Sequence, residues 1–256
     1  MLRKFVDKLP QYDYLYLGDN ARTPYGTRSF ETVYNYTRQC VQWLLQQGCP
    51  LVILACNTAS AKALRTIQQN DLQQMSPGAR VLGVIRPTTE VIGNYSSSNH
   101  IGILATTGTV LSESYLLEIK KFFPHLHVVQ EACPMWVPLV ENGEQSGAGA
   151  DYFIKKHIEN IIASSPRIDT LLLACTHYPL LINKIKQFLP AHVQLVSQAD
   201  IVTESLNQYL KRHLQMESAI SKSKQRLFYT TDAASTFEDK AALFFGSSVV
   251  AHHIGL

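Results

Sequence analysis

Short apolar runs alternate with amphipathic segments along almost the whole chain. The runs have strand length and are continuous in apolar character, which predicts strands that are buried on both faces. The segments between them repeat apolar residues with helical spacing. The clearest of these segments predicts a helix over Ser29–Gln47, and Gly48 ends its pattern. The chain is therefore predicted to be an α/β protein with parallel sheets covered by helices.

The predicted elements follow one another with short connections. The strands are predicted at Tyr14–Leu17, Leu51–Ala55, Val81–Ile85, Ile101–Ala105, Leu126–Val129, Leu171–Ala174, Val193–Val196 and Leu227–Tyr229. Besides Ser29–Gln47, helices are predicted at Met1–Leu9, Ser60–Gln69, Ser112–Phe122, Asp151–Ala163, Leu180–Phe188, Ile201–His213 and Phe237–Phe244. Two polar stretches, Asn70–Ala79 and Met216–Gln225, are predicted to be irregular connections.

One phrase occurs twice in the chain. Residues 51–58 read Leu-Val-Ile-Leu-Ala-Cys-Asn-Thr, and residues 170–177 read Thr-Leu-Leu-Leu-Ala-Cys-Thr-His. Each copy predicts a buried strand that delivers a cysteine, followed by polar residues that can open a helix. The duplication predicts two pseudo-symmetric, doubly wound domains with an active-site cleft between them. Residues 1–87 plus 197–256 would form the domain with Cys56, and residues 88–196 the domain with Cys175.

The two cysteines are the main candidates for chemistry. Most free cysteines are small buried hydrophobic residues, but Cys56 and Cys175 each close a strand, where open α/β sheets bind ligands. A helix start after each cysteine would also lower the pKa of its thiol. Two like acid–base groups on opposite sides of one carbon are what inversion of configuration requires. His177 is either a capping residue or a group that tunes the proton affinity of the site.

Composition and charge exclude several other classes of function. With 46% hydrophobic and 17% charged residues and a net charge of +3, the chain is an ordinary globular protein. Its basic clusters are short and lack interleaved aromatic residues, so no nucleic-acid surface is expected. No apolar run is long enough to cross a bilayer. No metal-ligand spacing and no dinucleotide fingerprint occurs. The five cysteines, without CxxC spacing, predict reduced thiols and a cytoplasmic protein.

Six motifs, in this order, resemble those of glutamate racemases in the aspartate/glutamate racemase superfamily. They lie at residues 18–26, 55–61, 83–87, 102–106, 137–141 and 174–180. The resemblance implies an enzyme without a cofactor that interconverts L- and D-glutamate and supplies D-glutamate for bacterial peptidoglycan. It also implies a homodimer and, by analogy alone, contact with DNA gyrase. An aspartate racemase is the enzymatic alternative, because the sequence does not fix the depth of the pocket for the side-chain carboxylate.

The resemblance also assigns roles to individual residues. Cys56 and Cys175 would be the two acid–base residues, one on each face of Cα, and His177 would assist them. Asp19 and Glu141, with Glu144 as a substitute, would be carboxylates that influence proton transfer. The implied substrate-binding residues are Tyr25, Gly26, Asn57, Thr58, Thr176 and His177. No metal ligand is implied.

The chain departs from the family at its N-terminus. Members of the family begin with a strand and an Asp-Ser-Gly-x-Gly-Gly loop, whereas Met1-Leu2-Arg3-Lys4 resembles the helix that follows that loop. We expect that the start is misassigned or that about one strand and one loop are missing. This departure favours a second hypothesis, in which the chain is a catalytically weak protein with a binding role.

Overall fold

The computed structural model describes all 256 residues. Nine strands form three sheets, and every pair of neighbouring strands is parallel. In chain order, β1 to β9 are Tyr14–Gly18, Leu51–Leu54, Arg80–Gly83, His100–Ala105, His127–Ala132, Thr170–Ala174, Gln194–Ser197, Arg226–Thr230 and Ala251–His253. The predicted α/β class with parallel sheets is confirmed.

Helices separate most of these strands. In chain order, α1 to α14 are Leu2–Lys8, Phe30–Gln46, Asn57–Lys62, Leu64–Thr66, Leu72–Met75, Ile85–Thr89, Thr107–Leu111, Ser114–Phe122, Trp136–Glu141, Ala148–Ser164, Ile182–Phe188, Gln198–Arg212, Leu214–Ala219 and Ala234–Phe245. Short 3₁₀ turns lie at Asn20–Arg22, Ile92–Tyr95 and Tyr178–Leu181, and a π-helical turn lies at Ile67–Asp71. None of the helices is both long and apolar enough to cross a membrane.

The largest sheet has the strand order β5-β4-β6-β7. Its inner strand β6 is fully buried, and the two faces of that strand supply two separate clusters. Leu171 and Leu173 pack against α9, α10 and α11, whereas Leu172 and Ala174 pack against α6 and α8. Because side chains alternate along a strand, a continuous apolar run serves both clusters, as the sequence predicts. The most deeply buried strand therefore carries Cys175 at its end.

The remaining strands form two smaller sheets, with the orders β1-β8-β9 and β2-β3. The first sheet joins the beginning of the chain to its end, since Tyr14 is aligned with Arg226. The second sheet ends just before Cys56. Leu51 and Ile53 of β2 pack in the same cluster as Tyr14 of β1. The two small sheets are therefore neighbours, with α1 and α12 packed beside them.

Several predicted boundaries are wrong. The strand predicted to reach Ile85 ends at Gly83, and Ile85 is instead the first residue of α6. Pro87 lies in the first turn of this helix, where proline is tolerated. Helical structure continues into Asn70–Ala79 as far as Met75, and α13 occupies part of Met216–Gln225. The hydrophobic pattern does not predict α7, α9 and β9, which are five, six and three residues long. Elements this short contain too few residues to show a period.

Candidate active site

Cys56 is the N-cap residue of α3 and follows directly on the end of β2. Burial raises the pKa of its thiol, and a negative charge on Cys175 raises it further. The backbone N–H groups of Ala59 and Thr58 and the Thr58 hydroxyl act in the opposite direction, because N–H and O–H dipoles near a sulfur favour its thiolate form. The net effect is a raised pKa, so this thiol holds its proton firmly unless a nearby positive group compensates.

Cys175 has different surroundings. It ends β6 and is buried, but a turn and a 3₁₀ segment follow it, and α11 begins only at Ile182. The helix predicted at Leu180–Phe188 begins two residues late, at Ile182, so no α-helix N-terminus lies directly after this cysteine. Its sulfur instead lies 4.0 Å from Nδ1 of His177. The two halves of the duplicated phrase thus give their thiols different neighbours, backbone N–H groups at Cys56 and an imidazole at Cys175.

The two cysteines share one site although they come from different sheets. A charge on Cys175 acts on Cys56, as noted above. Tyr16 of β1 supports the same placement, since burial and the charges of Glu141 and Cys56 raise the pKa of its phenol. A carboxylate that follows β5 and a thiol that follows β2 therefore approach the same side chain. The parallel strands bring their C-terminal ends together around this point.

A chain of charged groups extends from Cys175. His177 Nε2 lies 2.6 Å from Glu141 Oε1, and Lys240 Nζ lies 3.1 Å from Glu141 Oε2. Burial alone would lower the pKa of His177, but hydrogen bonds to Cys175 and Glu141 raise it to about 9. The hydrogen bond from His177 is the main cause that lowers the pKa of Glu141 to about 2. Glu144, the substitute carboxylate, makes no hydrogen bond to His177.

Three threonine hydroxyls form a buried cluster beside Cys56. Thr58 Oγ1 lies 2.8 Å from Thr106 Oγ1 and 3.4 Å from Thr109 Oγ1. Thr106 and Thr109 were missed by sequence reasoning. Thr106 directly follows β4, so its place at the C-terminal end of a strand was the signal that could have identified it. The backbone oxygen of Gly26 joins this region, because it accepts a 2.7 Å hydrogen bond from Gly108 N–H in α7.

Asp19 anchors the loop that follows β1. Its carboxylate accepts hydrogen bonds from Arg22 at 2.8 Å, from Thr231 at 2.9 Å and from the Tyr25 hydroxyl. It makes no hydrogen bond to Cys56 or to Cys175. Burial is the main cause that raises the pKa of Tyr25, so its phenol remains a donor. The structure therefore connects Asp19 to the loop, and its influence on proton transfer stays a prediction.

The other predicted binding residues lie at the starts of the two turns. Asn57 is 2% exposed, and its side chain is bonded to Tyr115 and Gln198. Thr176 is half-buried and its hydroxyl makes no hydrogen bond within the protein, so it is available to a ligand. Together with the threonine cluster, these groups offer N–H and O–H donors near Cys56 and Cys175. Such a site suits a small anionic molecule.

Comparison with known families supports a racemase. The family described as Asp/Glu/Hydantoin racemase matches residues 1–206. This chain belongs to that family. A glutamate racemase from Sulfurihydrogenibium sp. is 32% identical, with 96% of this chain and 89% of the relative covered. A glutamate racemase from Streptococcus gordonii is 33% identical, with 100% of this chain and 94% of the relative covered.

Solved structures of this racemase family have the same fold. A glutamate racemase isoform from Bacillus anthracis superposes with a TM-score of 0.89 at 30% identity, covering 100% of this chain and 92% of that one. The Francisella tularensis glutamate racemase, solved in complex with D-glutamate, gives a TM-score of 0.86 at 27% identity. That superposition covers 99% of this chain and 92% of the other. The family resemblance seen in the sequence motifs is confirmed.

Proposed function

We propose that this chain is a cofactor-independent glutamate racemase that makes D-glutamate for peptidoglycan. The observation that carries the proposal is that Cys56 and Cys175 follow strands of two different sheets and yet lie near enough for a charge on Cys175 to raise the pKa of Cys56. The relatives with 32% and 33% identity are named glutamate racemases. One structural relative was solved with D-glutamate bound.

Proton transfer follows from the coupling between the two thiols. Because a thiolate at Cys175 raises the pKa of Cys56, ionisation of one sulfur favours the protonated form of the other. One sulfur is then the base that removes the Cα proton, and the other is the acid that delivers a proton to the opposite face. The two sulfurs exchange these roles when D-glutamate is converted to L-glutamate. The sulfur of Cys175 favours the imidazolium form of His177, so a positive charge lies beside this thiol.

The weakly acidic Cα proton requires that the site stabilises a carbanion-like transition state. N–H groups at the start of α3 and the hydroxyls of Thr58 and Thr176 are the donors we assign to the α-carboxylate. We assign Asn57, Tyr25, Gly26 and His177 to substrate binding as well. Asp19 would act through Tyr25, whose hydroxyl donates a hydrogen bond to its carboxylate. Glu141 would act through His177.

We also propose the two-domain division of residues 1–87 plus 197–256 and residues 88–196. Its support is the membership of the sheets, because β4 to β7 pair only with one another. The cleft between the domains would hold the amino acid. We place the enzyme in the cytoplasm, where a reducing compartment keeps both thiols free. The homodimer and the gyrase contact remain predictions from the resemblance.

Glutamate is favoured over aspartate as the substrate. The Picrophilus torridus aspartate racemase is 19% identical with a TM-score of 0.52, which shows a shared fold only. The glutamate racemases match at higher identity over nearly the whole chain. No observation therefore favours the aspartate alternative.

Exchange of the Cα proton with solvent tests the function. In deuterated water, we expect the protein to racemise L-glutamate and to place deuterium at Cα, as followed by proton NMR and circular dichroism. Cys56→Ser and Cys175→Ser should each lower racemisation at least about 100-fold, because a hydroxyl is a much weaker acid than a thiol. Cys49→Ser is the matched control, since Cys49 is half-buried beside the cluster under β2 and should leave the rate unchanged.

Two outcomes would contradict the proposal. A wild-type protein that catalyses no exchange at Cα of glutamate would refute the racemase function. Serine variants at positions 56 and 175 that retain the activity of Cys49→Ser would refute the two-thiol mechanism.

A further inference from the structure

A closed ring of three hydrogen bonds lies next to the turn that follows Cys56. Gln198 Nε2 donates to Tyr115 Oη at 2.6 Å, Tyr115 Oη donates to Asn57 Oδ1 at 2.7 Å, and Asn57 Nδ2 donates to Gln198 Oε1 at 2.7 Å. All three side chains are buried, with at most 3% of their surface exposed. Because bulk water does not reach them, their polar groups depend on partners within the protein, and Gln198 Nε2 also faces Val84 O and Thr88 Oγ1.

The direction of the ring follows from the backbone carbonyl of Val84. A carbonyl oxygen only accepts, so the Gln198 atom that faces it at 3.3 Å is the NH₂ group. Oε1 of Gln198 then faces Asn57 and accepts from its Nδ2. The Oδ1 atom of Asn57 is left to accept from Tyr115. Burial raises the pKa of Tyr115, so the phenol keeps the proton that it donates.

The ring fixes the first residue of a short helix. Asn57 begins α3, which has only six residues and no side-chain cap at its N-terminus. A helix this short does not hold its own first turn firmly. The ring ties Asn57 to Tyr115 on α8 and to Gln198, the first residue of α12. The N–H groups of Thr58 and Ala59, which follow Asn57, lower the pKa of the Cys56 thiol against the effect of burial.

We propose that Gln198 is a positioning residue for proton transfer at Cys56, acting through the amide of Asn57. This inference rests on the proposed racemase function and adds a residue that does not touch the reacting atoms. The direction of the ring also specifies what Asn57 offers. One N–H of its Nδ2 lies outside the ring, so Asn57 presents a donor, which suits a carboxylate oxygen of the substrate.

Breaking the ring at two different places tests this role. Gln198→Leu removes the carboxamide. Tyr115→Phe removes only the hydroxyl oxygen and leaves the aromatic side chain packed. Each variant should lower kcat/KM about tenfold, since small misplacements at a reacting group are costly. Thr203→Val on α12 is the matched control, because it also deletes a buried hydroxyl, which donates to Ala199 O, but lies outside the ring. It should retain wild-type kcat/KM.

The double variant separates the ring from two independent contacts. One break already opens the ring. The double variant Gln198→Leu/Tyr115→Phe should therefore lose no more activity than the less active of the two single variants. Thermal melts of the two single variants, the double variant and Thr203→Val identify any variant that does not fold. If Gln198→Leu does not fold, the kinetics of Tyr115→Phe alone test the proposal. Wild-type kcat/KM in Tyr115→Phe, or losses that add in the double variant, would overturn the proposal.

A second measurement keeps this test independent of the proposed function. The rate at which iodoacetamide alkylates Cys56 is followed across pH by peptide mass spectrometry. Ring variants should move the midpoint to higher pH than in Thr203→Val, because the N–H groups that favour the thiolate are less firmly held. If the wild-type protein does not racemise glutamate, the proposed racemase function is refuted. The midpoint of alkylation then still tests whether the ring positions the N–H groups beside Cys56. An equal midpoint in all variants would refute the positioning role.

Discussion

The charge of His177 depends on two neighbours, Glu141 and Cys175. Both hydrogen bonds favour the imidazolium and raise its pKa to about 9, against the effect of burial. At neutral pH the site therefore holds a cation beside Cys175. Since Glu141 has a pKa of about 2, it remains ionised over the whole working range. Cys175 and the Glu141 carboxylate thus together keep the imidazole protonated.

Glu141→Gln should shift this titration. The pKa of His177 should fall because the amide carries no charge, so the alkaline limb of the kcat/KM profile should move to lower pH. Stability should respond with a defined sign. In the folded wild type the pKa of His177 is about 9, above the ordinary 6.5. Protonation of His177 therefore stabilises the wild type fully below pH 6.5, and this contribution is lost as the pH rises through 9.

The comparison uses Glu144→Gln as the matched control. Thermal melts should show that Glu141→Gln is less stable than the wild type between about pH 4.5 and 6.5 and that the difference shrinks by about pH 9. Glu144→Gln should resemble the wild type in both measurements, because Glu144 does not contact His177. A pH-independent difference for Glu141→Gln would contradict the assigned ion pair.

At the scale of elements, the loop after β1 touches α7 through backbone atoms. Gly108 N–H donates to Gly26 O at 2.7 Å, and a Cβ on Gly26 would lie 2.9 Å from Thr106 Cβ. Thr106 in turn is bonded to Thr58 beside Cys56. The missing side chain at Gly26 therefore permits the close approach that brings the loop to the site.

Gly26→Ala should move the loop away from α7. The added methyl group contacts Thr106 at a distance that carbon atoms do not tolerate, so either the loop or the threonine must shift. We expect KM for glutamate to rise about tenfold, with a smaller change in kcat. Steady-state kinetics measure both constants.

Gly149→Ala in α10 is the control for this change. An added Cβ there meets no atom within 4 Å, and alanine is the better helix former. Its kinetics should be unchanged and its melting temperature equal or higher. A Gly26→Ala variant with wild-type KM would show that the close approach has no role in binding.

At the scale of the whole molecule, the site is assembled from distant parts of the chain. Glu141 lies on α9, between β5 and β6, whereas Lys240 lies on α14 near the C-terminus. Phe244, one turn further along α14, places its ring 5.3 Å from that of His177. The C-terminal helix therefore contributes to the surroundings of Cys175 although it packs beside β8 and β9.

Lys240→Met should weaken this connection with little loss of stability. The lysine side chain is partly exposed, so the pair contributes at most about 1 kcal/mol to folding. We expect kcat/KM to fall roughly threefold, which corresponds to less than 1 kcal/mol. Because the two enantiomers have equal free energy, kcat/KM must stay equal in both directions, and this equality checks the assay.

Lys184→Met is the matched control for Lys240→Met. It breaks an ion pair of similar geometry, at 2.6 Å from Asp151, between α11 and α10. It should leave kcat/KM unchanged at a comparable melting temperature. Equal effects of the two lysine substitutions would show that Lys240 acts on stability alone.

The sequence was most informative where function depends on position along a strand. Cys56 and Cys175 are the main candidates because each ends an apolar run of a duplicated phrase, and their action as a pair stays a prediction. Thr106 could have been found by the same rule. The prediction failed where an element is too short to show a hydrophobic period, as in α9 and β9.

The sequence by itself determined the parallel α/β class, the strands that end in thiols and the resemblance to racemases, because these are local patterns of spacing and composition. Only the tertiary structure decided which partners surround the thiols. Glu141 rather than Glu144 binds His177, Lys240 binds Glu141, and Gln198 closes a ring with Asn57 from 141 positions away. Such pairs depend on how separate helices pack against the sheets, which no local period records.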